Sequence, residues 1–203
     1  MVSSRYKHVI SPLINPIAAA CVRVGVSPTA ITLAAPLLAT IASLWFARTR
    51  AVLPFCGAIL AIGCLDALDG AVARAGGRAS KLGAYLDAMA DRYLEAIVIL
   101  AVAYVTGYWF LSMVMLAGSM MVSYAKARAA MEVTITNKEW PDLAERTERG
   151  LVYLAGLAAG AVIGWRPLEH DLFWWTLLVL SVLTHATVLQ RIFRARRYIL
   201  ARQ

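Results

Sequence analysis

Four aspartates stand where the surrounding sequence is strongly apolar: Asp66 and Asp69 close one apolar run, and Asp87 and Asp91 open the next. An isolated ionised carboxylate is costly in or near hydrocarbon, so four together imply a water-filled cavity, counter-charges or metal. On a helix, residues three, four and seven apart are neighbours, which puts Asp66, Asp69, Gly70 and Ala73 on one face. Gly83, Asp87 and Asp91 make a second row by four-residue steps. Two connected helices carrying these rows can present four carboxylates to one site. Hard divalent cations such as Mg²⁺ and Mn²⁺ prefer carboxylate oxygen and commonly bridge protein to phosphate, so the pattern suits a pyrophosphate substrate better than thiol or imidazole metal chemistry.

A second group is basic. Lys126 and Arg128 lie in the segment 123–128, and Arg146 and Arg149 lie in 145–149. Lysine offers phosphate a point charge and arginine a planar donor fork, so a phosphorylated acceptor could be held here. Ordinary loop charge or contacts to lipid headgroups would use the same residues. His8, His170 and His185 are dispersed and form no metal-binding pattern, which argues against zinc hydrolysis. Cys21, Cys56 and Cys64 lack metal-ligand spacing and read as small apolar residues.

The elements that must position these groups are membrane helices. With 61% hydrophobic residues the chain is too apolar for a soluble globule of its size. Several segments reach the roughly 20 apolar residues that cross a bilayer core. Spans are expected over 28–47, 52–74, 80–105, 108–131, 147–165 and 171–193. The preceding residues 1–27 mix basic and apolar groups, with Pro12 and Pro16 as breaks, and suit an amphipathic helix at the interface. Ser27 followed by Pro28 is a helix-start signal. The plan is one membrane domain over 1–203: an interfacial segment, a six-helix bundle over 28–193 and a basic tail over 194–203.

The net charge of +8 raises nucleic-acid binding, but the basic residues alternate between rich and poor connections, as cytoplasmic retention of positive charge requires. Arg48, Arg50 and Arg166 fall on the poor side. Both termini and the Arg74–Lys81 connection are therefore expected in the cytoplasm. Trp109, Trp165, Trp174 and Trp175 lie near the opposite ends of their spans and suit interfacial anchoring or helix packing. Gly156, Gly160 and Gly164 form a small-residue stripe that allows close approach of a neighbouring helix.

Asp66, Asp69, Gly70, Ala73 and Arg74, then Gly83, Asp87 and Asp91, together reproduce the signature of the CDP-alcohol phosphotransferases, and the chain resembles that family at all eight fixed positions. The resemblance implies the all-α six-span plan and a membrane enzyme using a pair of divalent ions, Mg²⁺ or Mn²⁺. Asp66, Asp69, Asp87 and Asp91 would hold the metal, and Asp91 would also act as general base on the acceptor hydroxyl. The CDP group of a lipid donor would lie against Thr32, Asp66, Asp69, Gly70, Ala73, Arg74 and Gly83. The segments around Lys126 and Arg149 are similar to the branch that uses inositol 1-phosphate, making phosphatidylinositol phosphate or its archaeal ether-lipid counterpart. That branch implies acceptor-phosphate roles for Lys126, Arg128, Arg146 and Arg149. The donor is then CDP-diacylglycerol or CDP-archaeol, and homodimerisation is expected. Glycerol 3-phosphate or serine as acceptor, an ion or proton pathway, and a structural ion network with Arg74 or Arg92 are the competing readings.

Overall fold

A computed structural model describes residues 14–133 and 146–201. Every regular element among them is helical: α1 (14–23), α2 (Pro28–Thr49), α3 (Val52–Ala75), α4 (Lys81–Thr106), α5 (Trp109–Glu132), α6 (Arg146–Val162) and α7 (Leu172–Leu200), with one short 3₁₀ turn at Pro167–Glu169. Four of them, α2, α3, α5 and α7, are long and apolar enough to cross a membrane. The described residues form two compact units, one up to residue 107 and one from residue 108 on.

In the first unit α2 packs against both α3 and α4. Small residues on one face of α2, Thr32, Ala35, Ala39 and Ser43, are all buried, so the neighbouring helices come close. At the far end Phe46 and Phe55 stack with ring centroids 4.2 Å apart and close the α2–α3 connection. Ser27 starts α2 without a side-chain cap; its carbonyl accepts from Ala30 and Ile31 instead, and Pro28 supplies the preset first-turn geometry. Pro36 lies inside α2. Having no N–H, it cannot give the Thr32 carbonyl its usual helical donor.

The N-terminal segment differs from expectation at Pro16, which sits within the helical residues of α1 rather than breaking them. Residues 1–13, including Pro12 and His8, lie outside the described residues. Ala18 of α1 is buried against Ala71 and Val72 of α3, with Ile14, Cys21, Val22 and Leu68 around them. This helix is therefore docked on the part of α3 that carries Asp69.

In the second unit α7 packs against α5 and α6. A methyl group at Gly156 would stand 2.6 Å from Thr176 Cβ, and one at Gly160 would stand 2.9 Å from Phe173 Cβ. These two glycines let α6 and α7 touch backbone to side chain. Gly164 has open space and lies beyond the end of α6, so the expected stripe stops after two members. Gly118 does the same work between α5 and α7, facing Thr184 and His185. Asp171 caps α7 by accepting from the Trp174 amide at 2.9 Å and also accepts from the Tyr108 hydroxyl at 3.1 Å. Burial and then the Asp171 carboxylate push the Tyr108 phenol above its ordinary pKa.

Two of the three histidines lie among the described residues. His170 stacks on Trp174, and His185 Nδ1 lies 3.0 Å from the Ser181 carbonyl. Trp109, Trp174 and Trp175 occupy the first turns of α5 and α7, and Trp165 follows α6, all at one end of this unit. The expected helix over 147–165 ends at Val162, because Gly164 and Pro167 cannot continue it. The helix expected to end near 193 runs on to Leu200, since Arg, Ala, Tyr and Leu are adequate helix formers with no glycine or proline among them.

Replacing Gly156 by Ala should lower unfolding stability by about 1–3 kcal/mol through overpacking. Gly164→Ala should stay within about 0.5 kcal/mol. Thermal unfolding in detergent reads both, and equal midpoints for the two variants would contradict the close α6–α7 approach.

Candidate active site

The carboxylates come from the end of α3 and the beginning of α4. The two helices are joined by a connection that turns at Gly76 and Gly77. Ser80 caps α4 by accepting from the Gly83 amide at 3.0 Å, which fixes the phase of the Gly83, Asp87, Asp91 row. One oxygen from each of Asp66, Asp87 and Asp91 lies within 4.8 Å of the others. At an effective dielectric near 20, each such pair of charges repels by on the order of 3 kcal/mol, less where Asp66 meets water. Three hard oxygen donors converging in this way fit a divalent cation, which reverses the sign of that term.

Asp69 takes a different place from the other three. It is 6% exposed, and one of its oxygens accepts from the Thr32 hydroxyl at 2.6 Å, a short charge-assisted bond. It lines the same small cleft, about 10 Å³, together with Thr32, Ala35, Asp66, Asp87, Ala90, Asp91 and Leu94. Thr32, expected near the nucleotide, is thus a buried wall residue that orients Asp69. A larger groove of about 370 Å³ between α2 and α4, running from Leu33 and Leu86 to Thr40 and Ile97, is lined without a charged residue and offers nothing to a metal or phosphate.

Gly70 lies beneath the Arg74 guanidinium, with Nη1 3.2 Å from where a Cβ would stand. At Gly83 the near neighbour is the Ser80 hydroxyl, also 3.2 Å. In neither case is the missing side chain explained by a second helix packing there. Ala73 is half-buried and Arg74 exposed. Arg92 pairs with Glu95 on its own helix at 2.8 Å.

The basic residues lie in the second unit. Arg149 is 3% exposed and donates to the Ser119 hydroxyl of α5 at 3.2 Å. Lys126, half-buried, is seven residues beyond Ser119 and so on the same α5 face two turns on. Arg128 lies about 200° round the helix from Lys126; it is exposed and pairs with Glu132 at 2.6 Å. Arg146 is the first residue of α6 and half-buried. The structure adds Arg191 of α7, 4% exposed, which donates to the Val122 carbonyl. In the sequence Arg191 merges with the basic run that follows it; only burial separates it. Arg149 and Arg191 thereby reach α5 at positions three residues apart, less than one helical turn.

The family model described as CDP-alcohol phosphatidyltransferase matches residues 25–189. The chain is 33% identical over 177 residues to the archaetidylinositol phosphate synthase of Pyrococcus horikoshii, covering 85% of each. The phosphatidylinositol phosphate synthase of Mycobacterium tuberculosis shares the fold. With CDP-DAG bound, it superposes with a TM-score of 0.79 at 23% identity, covering 91% of this chain and 94% of its own. In complex with manganese and citrate the TM-score is 0.78, at 23% identity, with 90% and 88% covered.

Thr32→Val should destabilise the protein by about 1–3 kcal/mol, because Asp69 loses its buried donor. Thr32→Ser should recover most of that. A valine variant that unfolds like wild type would remove Thr32 from any part in holding Asp69.

Proposed function

Because the chain belongs to the CDP-alcohol phosphatidyltransferase family, we propose that it transfers the phosphatidyl-type group of a CDP-lipid to a hydroxyl of inositol 1-phosphate and releases CMP. The observation that carries the transferase chemistry is the convergence of Asp66, Asp87 and Asp91 from two helices. Mg²⁺ or Mn²⁺, as a pair held by these three and Asp69, would bind the donor pyrophosphate and stabilise charge on the departing CMP. Asp91 takes the proton of the acceptor hydroxyl as that oxygen bonds to the β-phosphorus. The bond from that phosphorus to the CMP oxygen breaks. Arg74 pairs with donor phosphate, and the bare backbone faces at Gly70, Ala73 and Gly83 leave room for the nucleotide.

The acceptor assignment rests on charge. Arg149 of α6 and Arg191 of α7 are both buried and donate to Ser119 and Val122, three residues apart on α5. An arginine head presents a planar donor fork that suits phosphate oxygens. We assign the acceptor phosphate to Lys126, Arg149 and Arg191, with Arg146 at the helix entrance. Arg128, paired with Glu132 on another face, is left at the periphery.

The protein is an integral membrane enzyme, with α2, α3, α5 and α7 long and apolar enough to span. In this reading α4 and α6 complete six spans, α1 lies at the interface, and the active site and both termini face the cytoplasm. The charges of Asp87, Asp91, Arg92 and Glu95 lower the hydropathy of α4, and α6 has only 17 residues. CDP-diacylglycerol and CDP-archaeol both satisfy the donor side, and two copies form the working dimer.

CMP release by the purified protein in nanodiscs, with either donor and Mg²⁺ or Mn²⁺, should require inositol 1-phosphate. Turnover with glycerol 3-phosphate or serine in its place would reassign the basic site, and inactivity with every pair would remove the transferase reading. Asp91→Asn should lower kcat by about 10²- to 10⁴-fold while donor binding persists. Lys126→Gln should raise the acceptor KM about 10- to 100-fold and leave the donor KM within a factor of two or so; an equal rise in both would contradict the assignment.

A further inference from the structure

α7 is longer than the membrane it crosses. From Leu172 to Gln190 it contains no Lys, Arg, Asp or Glu, a length of about 28 Å at 1.5 Å per residue. That matches a hydrocarbon core of about 30 Å. The helix nevertheless has 29 residues and ends at Leu200, so its last ten residues continue for about 15 Å through the headgroup layer.

This extension holds Arg191, Arg194, Arg196 and Arg197 and no acidic residue. Arg191 points inward to α5. Outward, Ile192, Arg196 and Leu200 form one row at four-residue steps, and Phe193 and Arg197 form the next. All five are exposed, with Ile192 at 50%, Phe193 at 59% and Leu200 at 58%. A face made for water has no reason to show three large apolar side chains. At the boundary between acyl chains and headgroups the mixture is favourable, because apolar groups enter the chains while arginine heads reach phosphates.

We propose that residues 192–200 of α7 form a binding surface for anionic phospholipid headgroups, engaged through Arg196 and Arg197 with Ile192, Phe193 and Leu200 seated in the acyl boundary. The surface depends on α7 as a membrane span and on none of the donor or acceptor assignments. Its consequence is that the protein selects the lipid next to α7 by charge.

The test uses full-length protein in neutral detergent micelles with fluorescent phosphatidylglycerol or phosphatidylcholine, read by anisotropy. Wild type should bind phosphatidylglycerol at least tenfold more tightly. Arg196→Gln with Arg197→Gln should remove about 10- to 30-fold of that affinity, and Arg196→Lys with Arg197→Lys should retain it. The lysine pair also shows whether a loss reflects charge rather than misfolding. Arg48→Gln with Arg50→Gln, at the end of α2, should keep the preference. No preference in wild type, equal losses in the two glutamine pairs, loss in the lysine pair, or displacement of the lipid by millimolar inorganic phosphate would each overturn the proposal.

Discussion

The constraint on which the first unit depends is the need to hold negative charge among apolar helices. Three carboxylates converge from α3 and α4, and a fourth is buried and anchored by a hydroxyl from α2. Everything nearby serves that arrangement. Small residues on α2 bring α3 and α4 to it, Ser80 sets the phase of α4, and α1 supports α3 behind Asp69. α4 gives up hydropathy to carry these groups, which is why it falls short as a span on composition alone.

The second unit faces the opposite electrostatic problem. Arg149 and Arg191 bury cationic heads and direct them to a hydroxyl and a carbonyl on α5. Buried guanidiniums need such partners because desolvation otherwise exceeds what their interactions return. Gly118, where α5 meets Thr184 and His185 of α7, directly precedes Ser119, to which Arg149 donates, while Gly156 and Gly160 set the α6–α7 approach further along.

Much of this was legible from residue spacing. The aspartate rows follow from helical period, and the long helices begin within a residue or two of where the hydropathy and the Ser-Pro and Gly signals place them. Helix ends were less visible at α6 and α7: a glycine and proline stopped the first early, and charge without a breaker failed to stop the second. Pairing across helices was not legible at all. The bond from Thr32 to Asp69 joins residues far apart in sequence, and Arg191 differs from its basic neighbours only in being buried. The separation of Arg128 from Lys126 is implicit in helical twist, but adjacency in the sequence hides it.

Pro36 gives α2 a mechanical property that its neighbours lack. Thr32 ties the start of this helix to Asp69, and one turn later the proline has already removed the backbone hydrogen bond that bending there would otherwise rupture. The first two turns of α2 can therefore hinge about that point at lower cost than the corresponding turns of α3 or α4. Any such movement is transmitted through the Thr32 hydroxyl to the Asp69 carboxylate, so a bend in α2 becomes a displacement inside the cleft.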